Sequence, residues 1–340
     1  MKVAVIGAGA IGGLLGTKLS LAGHEVVFIA RNKNLAAIRA GGFRLVQADG
    51  IEQHATTVRA AADAAEAGPQ DAVLLAVKAH QVVGVLPTLS ALVGPETVLV
   101  TMTNGVPWWY FQRLEGTRQG RTLESVDPDG VLAAAIDPAF VIGSIAYPAA
   151  ELAAPGVVRH IEGNRFTLGE LDGTRTPRIE ALSQAFMQAG FKAPITKDIR
   201  AEIWLKLWGN LSFNPISALT HATLEGICHD TDGRALAAAM MAEAEAVAKA
   251  LGIVFKIGID QRIAGAEAVG AHKTSMLQDV EHGRPIELGA LVGSVVELAR
   301  ITGTPVPTIE AIHHAAGLLA RTLAAANGQL RIEPLGRDRR

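Results

Sequence analysis

The chain holds one cysteine, Cys228, in 340 residues. That excludes an intramolecular disulfide framework and fits a reducing compartment. No spacing or partner singles Cys228 out, so it reads as a small buried hydrophobe and not as a nucleophile. Charge of one sign is also scarce: 31 Lys and Arg stand against 33 Asp and Glu, a net charge of −2. A broad nucleic-acid surface would carry a basic excess, so any anion is expected to meet a few placed cations. No apolar run approaches the roughly 18 residues of a membrane span without Gly, Pro or charge. The opening MKVAVIGAGA has neither the pattern of a signal peptide nor that of a transit peptide, and the expected location is the cytoplasm, with no membrane or nucleic-acid partner. The histidines form no HExxH or comparable metal-ligand spacing, and a GxSxG elbow is missing, so neither a metal site nor a hydrolase is expected. No repeat of fixed period and no extended low-complexity tract is present.

What is present is an ordinary globular composition, 49% hydrophobic and 19% charged, long enough for about two domains. Short β-branched runs alternate with helical segments over the first two thirds: Val3 to Ile6, Val26 to Ile29, Val73 to Val77, Val98 to Thr101 and Val141 to Ala146. This alternation predicts a mostly parallel sheet covered by helices. After Lys197 the segments 198–220, 232–251, 259–270, 272–281, 286–302 and 307–325 are rich in Ala, Leu and Glu, with Gly and Pro at the joints, and read as all helical. The fold class is thus α/β, an N-terminal Rossmann-type parallel sheet domain followed by an all-α C-terminal domain, with Asp198 as N-cap of the first helix. Residues 117–140, rich in Gly, Asp and Arg, read as an insertion over a cofactor cleft or at a subunit contact, or as a surface excursion.

The strand KVAVIG runs into Gly7-Ala8-Gly9-Ala10-Ile11-Gly12 and then a helical stretch, followed by a second strand. In that context GxGxxG marks a dinucleotide site. Gly7 permits the tight turn, Gly9 lets a pyrophosphate approach the backbone, Gly12 allows close helix packing, and Ala10 and Ile11 open the helix whose N-terminus faces the phosphates. After the second strand an NAD-specific fold usually offers an acid to the ribose, but here the sequence reads Ile29-Ala30-Arg31-Asn32-Lys33. Arg31 can pair with a 2′-phosphate, so NADP(H) is favoured over NAD(H); solvated loop cations are the competing reading. Lys78 and Gln81 follow what reads as the third parallel strand, and Asn104-Gly105 the next, placing both loops toward the cofactor. For Asn104 simple turn chemistry is the alternative. Residues 1–196 are accordingly assigned to an NADP-binding Rossmann-like domain carrying the insertion at about 117–140, 197–330 to a helical substrate and catalytic domain, and 331–340 to a tail.

The segment Leu205 to Thr220, LKLWGNLSFNPISALT, is apolar almost all round, yet Lys206, Asn210 and Asn214 recur at spacings of four on the face of Ile203, Leu207 and Leu211. An ammonium on such a helix must snorkel to water or find partners. Pro215 cannot donate to the carbonyl of Leu211 and is expected to bend the helix, where the asparagines could satisfy freed backbone groups. Three polar residues in register, on the first helix after a nucleotide domain, point instead to a site.

These runs, GAGAIG and K-L-W-G-N-L-S-F-N-P-I-S-A-L-T, resemble the ketopantoate reductase (2-dehydropantoate 2-reductase) family. Further matching pieces are Lys78-Ala79-His80-Gln81, Asn104-Gly105, Ser275-Met276-Leu277-Gln278-Asp279 and Arg284-Pro285-Ile286-Glu287. The resemblance covers most of the chain apart from 117–140 and the last dozen or so residues. It implies NADPH-dependent reduction of 2-dehydropantoate to (R)-pantoate at a site between the two domains, with Lys206 as the catalytic lysine and proton donor and Glu287 as the catalytic acidic residue. It also implies substrate binding by Asn104, Asn210, Asn214 and Ser275, with Arg31 and Lys78 at the phosphate and ribose end of the cofactor and Asn104 at the nicotinamide junction. Two features depart from the family pattern: His272 stands where an asparagine is expected three residues before the serine, and the 117–140 insertion is atypical. A different 2-oxo acid is therefore the alternative substrate, and a non-catalytic NADP(H)-binding regulator a further alternative, against which the retained polar set argues. The 198–220 and 232–251 helices could serve both a homodimer contact and the active site.

Overall fold

The computed structural model describes residues 1–328; the 331–340 tail assigned above lies outside the described residues. The chain divides into two compact units, Met1–Ile203 and Trp204–Arg340.

In the first unit, β1 (Lys2–Ile6), α1 (Ala10–Leu21), β2 (Glu25–Ile29) and α2 (Asn32–Gly41) open the chain. They are followed by β3 (Phe43–Val46), β4 (Glu52–Ala55), β5 (Arg59–Ala61), β6 (Ala72–Leu75), α3 (Leu86–Leu89) and β7 (Val98–Thr101). Then come α4 (Val131–Ala135), β8 (Val141–Ala146), β9 (Ala149–Ala154), β10 (Val157–Glu162), β11 (Phe166–Glu170) and α5 (Pro177–Gln188). The main sheet runs β11-β8-β7-β6-β1-β2-β5. All its pairings are parallel except β11 with β8. Counting only the parallel strands in chain order gives 3-2-1-4-5-6, the doubly wound dinucleotide-binding topology, with the order reversing between β1 and β6. The central strands β6, β7 and β8 are buried at every position, as sheet strands covered on both faces must be.

A second sheet, β4-β3-β10-β9, packs over α1. Phe43 from it and Phe28 from the main sheet meet at 4.9 Å between ring centroids, against the bare backbone of α1 at Gly13 and Gly16. This sheet and β5 were not among the sequence expectations. Lys78 therefore follows the fourth parallel strand, not the third, and that strand ends at Leu75, not Val77. Residues 117–140 contain no strand; Asp127, fully buried, accepts from the backbone N–H groups of Leu132 (2.7 Å) and Ala133 (3.0 Å) and so organises α4.

α6 (Ile199–Thr220) opens in the first unit, where Asp198 caps it by accepting from the N–H of Ala201 at 2.9 Å. Arg200 in its first turn donates to the carbonyls of Tyr110, Leu171 and Gln112 at 2.7, 2.6 and 2.7 Å. The helix continues through Pro215, so the proline does not end it.

Among its described residues the regular elements of the second unit are all helical: the rest of α6, α7 (Leu224–His229), α8 (Thr231–Ala250), α9 (Ile259–Glu267), α10 (Ser275–Glu281), a π-helical turn Gly289–Gly293, α11 (Ser294–Thr302) and α12 (Pro307–Ala325). Trp208 of α6 stacks on Phe255 at 4.1 Å and donates its indole N–H to the carbonyl of Met241, which ties α6 to α8. Glu243 of α8 accepts from the N–H groups of Thr308 and Ile309, both at 2.9 Å, and so caps the otherwise unsatisfied start of α12.

Candidate active site

In the first unit the polar residues expected from the sequence stand at the carboxyl ends of parallel strands. The strand registers pair Ile6 with Ile29 and Leu75, and Leu75 with Thr101, so Gly7, Arg31, Lys78 and Asn104 follow strands that end side by side. This is the edge where doubly wound sheets bind ligands, and Gly7 lies at the reversal between β1 and β6. A Cβ on Gly7, whose φ is +101°, would stand 2.6 Å from the carbonyl oxygen of Ala76 in the β6 loop. On Gly12 it would stand 2.0 Å from the carbonyl oxygen of Gly7. Gly9 differs, since a Cβ there would meet nothing within 4 Å. Two of the glycines thus close the turn against the protein, and the third leaves open space at the N-terminus of α1. Gly9 is the N-cap, no side chain caps the helix, and its first turn, from Ala10 and Ile11, carries no acid. Free N–H groups facing open space without a competing carboxylate suit a pyrophosphate, so the residues present fit a dinucleotide.

Arg31 is exposed and forms the N-cap of α2; Lys78 is half-buried, its backbone N–H donating to Gln81 Oε1 at 3.1 Å. Asn104 is half-buried and precedes Gly105, whose φ of +83° is the left-handed turn geometry weighed for this pair. Sequence reasoning missed Asn34 in the first turn of α2. Its Nδ2 donates to the carbonyl of Ala8 inside the glycine turn, and its Oδ1 accepts from the N–H of Gly156 at 2.7 Å.

In the second unit the charge of Glu287 acts on Lys206. Burial strips water from the Lys206 ammonium and lowers its pKa to about 8, while the charge of Glu287 opposes that shift. The lysine as a residue keeps partial exposure, whereas Glu287 is buried. Glu287 stands just before the π-helical turn at Gly289–Gly293, a backbone irregularity frequent at functional sites. Asn210 lies one turn beyond Lys206 and is half-buried; Asn214, a turn further, is buried and reaches Ser275 Oγ through Nδ2 at 3.4 Å, a long hydrogen bond. Ser275 is exposed at the first position of α10, set there by the Thr274 cap, which accepts from the N–H of Leu277 at 3.2 Å. Arg284 binds the buried Asp279 at 2.9 Å and closes the loop between α10 and Glu287. His272, the departure from the family pattern, lies in the segment before α10, where its carbonyl accepts from the N–H of Leu224 at 3.0 Å.

A doubly wound sheet with an open glycine turn, followed by a helical unit holding a desolvated lysine beside an acid, defines a Rossmann-type NAD(P)(H)-binding oxidoreductase. Residues 3–173 match the family model described as ketopantoate reductase PanE/ApbA, and residues 198–320 its C-terminal counterpart. The chain belongs to the ketopantoate reductase family. The 2-dehydropantoate 2-reductase of Mesorhizobium japonicum is 52% identical over 329 residues, covering 96% of this chain and 99% of that protein. A candidate ketopantoate reductase of Ralstonia solanacearum MolK2 superposes with a TM-score of 0.90 at 40% identity, over 94% of this chain and 98% of its own. The 2-dehydropantoate 2-reductase of Geobacter metallireducens GS-15 does so at 0.82 and 28% identity, over 94% and 100%.

Proposed function

We propose that the protein reduces 2-dehydropantoate to (R)-pantoate with NADPH, residues 1–196 binding the cofactor and 197–330 the substrate. The observation that carries this is the desolvated Lys206, held against Glu287 on a helix that also presents Asn210 and Asn214. When bound, the reduced nicotinamide supplies the hydride that adds to C2 of the substrate. Negative charge then develops on the carbonyl oxygen, and Lys206 holds the proton for it. A pKa near 8 leaves the lysine protonated at neutral pH yet weakens its hold on the proton relative to a solvated ammonium. Glu287 keeps the ammonium charged and accepts from a substrate hydroxyl. Asn210 and Asn214 offer donor and acceptor groups to the hydroxyl and carbonyl functions, and Ser275 donates to the carboxylate. Asn104 contributes an amide after β7, and Arg31 and Lys78 take the phosphate and ribose end of the cofactor.

The test is NADPH oxidation by the purified protein with ketopantoate, then with a panel of other 2-oxo acids. Fast turnover of ketopantoate supports the assignment. Turnover of another 2-oxo acid in its place supports the second reading, a reductase of different side-chain specificity, which His272 favours. In either case kcat/KM is expected to fall as pH rises through about 8, where Lys206 loses its proton. Glu287→Gln removes the charge that raises the lysine pKa, so the fall should move to lower pH. A pH profile that Glu287→Gln leaves in place would remove Glu287 from this role.

A further inference from the structure

We infer that Asn34 is a positioning residue for the dinucleotide, locking the glycine turn, the start of α2 and the β9–β10 hairpin into one cradle. The inference rests on the proposal that Gly7 to Gly12 hold the cofactor pyrophosphate. Three backbone segments far apart in sequence meet at this one amide. Its Nδ2 donates to Ala8, the residue between the first two glycines of the turn, and its Oδ1 accepts from Gly156 at 2.7 Å. Both partners are backbone groups of fixed polarity, a carbonyl that only accepts and an N–H that only donates. The amide is therefore held in one orientation, and neither contact survives its reversal. The hairpin closes on the same helix: a Cβ on Gly156 would stand 3.2 Å from Ala37 of α2. Asn34 also follows Arg31 by three residues, across Asn32, whose φ of +52° is an unusual conformation for a non-glycine residue. Fixing the carbonyl of Ala8 fixes the peptide planes beside it, and with them the aim of the N–H groups at the start of α1.

Asn34 bonds only to backbone groups of the turn and the hairpin, so its loss should change affinity and leave the chemical step alone. A turn that is misaimed weakens the grip on any dinucleotide, with or without a 2′-phosphate. Asn34→Asp, nearly the same shape, keeps the bond to Gly156 but sets a carboxylate oxygen against the carbonyl of Ala8. Asn34→Ala removes both bonds and adds no charge. Each variant is expected to raise the Kd of both NADPH and NADH by about tenfold, the size expected from the loss of a half-buried hydrogen bond that aims the turn. The NADPH-to-NADH ratio should stay constant, and kcat at saturation should stay within about twofold.

The experiment titrates wild-type protein and both variants with each nucleotide by nicotinamide fluorescence, beside a thermal melt. Affinity unchanged in both variants, even with a lowered Tm, would show that Asn34 supports only the fold. A loss confined to Asn34→Asp would show charge repulsion and also overturn the inference. If the wild-type chain binds neither nucleotide, the cofactor proposal fails and this one fails with it. Wild-type binding with indifferent variants defeats this one alone.

Discussion

Lys206→Ala is expected to lower kcat by about 10³-fold while leaving the affinity for NADPH within about twofold. The lysine is the one group assigned to deliver a proton as hydride arrives, and removing a positioned general acid typically costs about two to four powers of ten. Single-turnover reduction, measured beside NADPH binding, separates this from a folding defect. Equal losses in both would return the lysine to a purely structural role.

The same side chain makes an opposite prediction for stability. In the unfolded chain the lysine titrates at 10.5 and in the folded protein at about 8. Between these values the unfolded state binds more protons, so this group makes stability rise with pH across that window. Below about pH 8 the folded protein bears the full cost of the desolvated charge. Lys206→Met keeps much of the shape and removes the charge. Allowing for the partial exposure of the residue, the gain is about 1–2 kcal/mol near neutral pH, shrinking as pH approaches 10. Tm at neutral pH should therefore rise by a few degrees as activity disappears, the pattern of a residue kept for chemistry at the expense of the fold. A variant both inactive and less stable would contradict the assigned desolvation.

The contrast also explains what the sequence could disclose. A lysine and two asparagines on an otherwise apolar helix are legible because burying them without partners is unfavourable, and the spacing of four puts them on one stripe. The strands β6, β7 and β8 are legible because complete burial demands nearly continuous apolar, β-branched runs, broken here only by Thr101 and Gly143-Ser144. The second sheet was hidden by its surroundings: β4 reads Glu-Gln-His-Ala with only its last residue buried, and β5 is three residues long. One local signal was available, Asp49-Gly50 between β3 and β4, where Gly50 has a φ of +85°. Asn34 could not be found in this way, because its partners Ala8 and Gly156 lie 26 and 122 residues away. The π-helical turn was equally silent, since 286–302 has the composition of an ordinary helix. The role of Glu287 came only from family resemblance, since it stands in the loop before the π-helical turn and no periodicity links it to Lys206 on α6.

Arg31→Asp is expected to lower the ratio of kcat/KM for NADPH over NADH by about 10²-fold or more. Two effects add. A charge-assisted bond to the 2′-phosphate is lost, about 1.5–3 kcal/mol, and a carboxylate is placed where a phosphate would sit. The same carboxylate can accept from a ribose hydroxyl, so NADH should gain as NADPH loses. The fold should be indifferent. Arg31 is exposed and pairs with no carboxylate among the described residues, so its removal breaks no ion pair there. An acid before α2 also meets the positive end of the helix favourably. This variant and the Asn34 pair are therefore distinguishable by the form of their effects. Loss of the arginine changes the ratio between two nucleotides, whereas loss of the amide lowers both affinities together. An unchanged ratio in Arg31→Asp would make Arg31 and Lys33 solvated loop cations and withdraw the preference for NADPH, while leaving the glycine turn and its dinucleotide untouched.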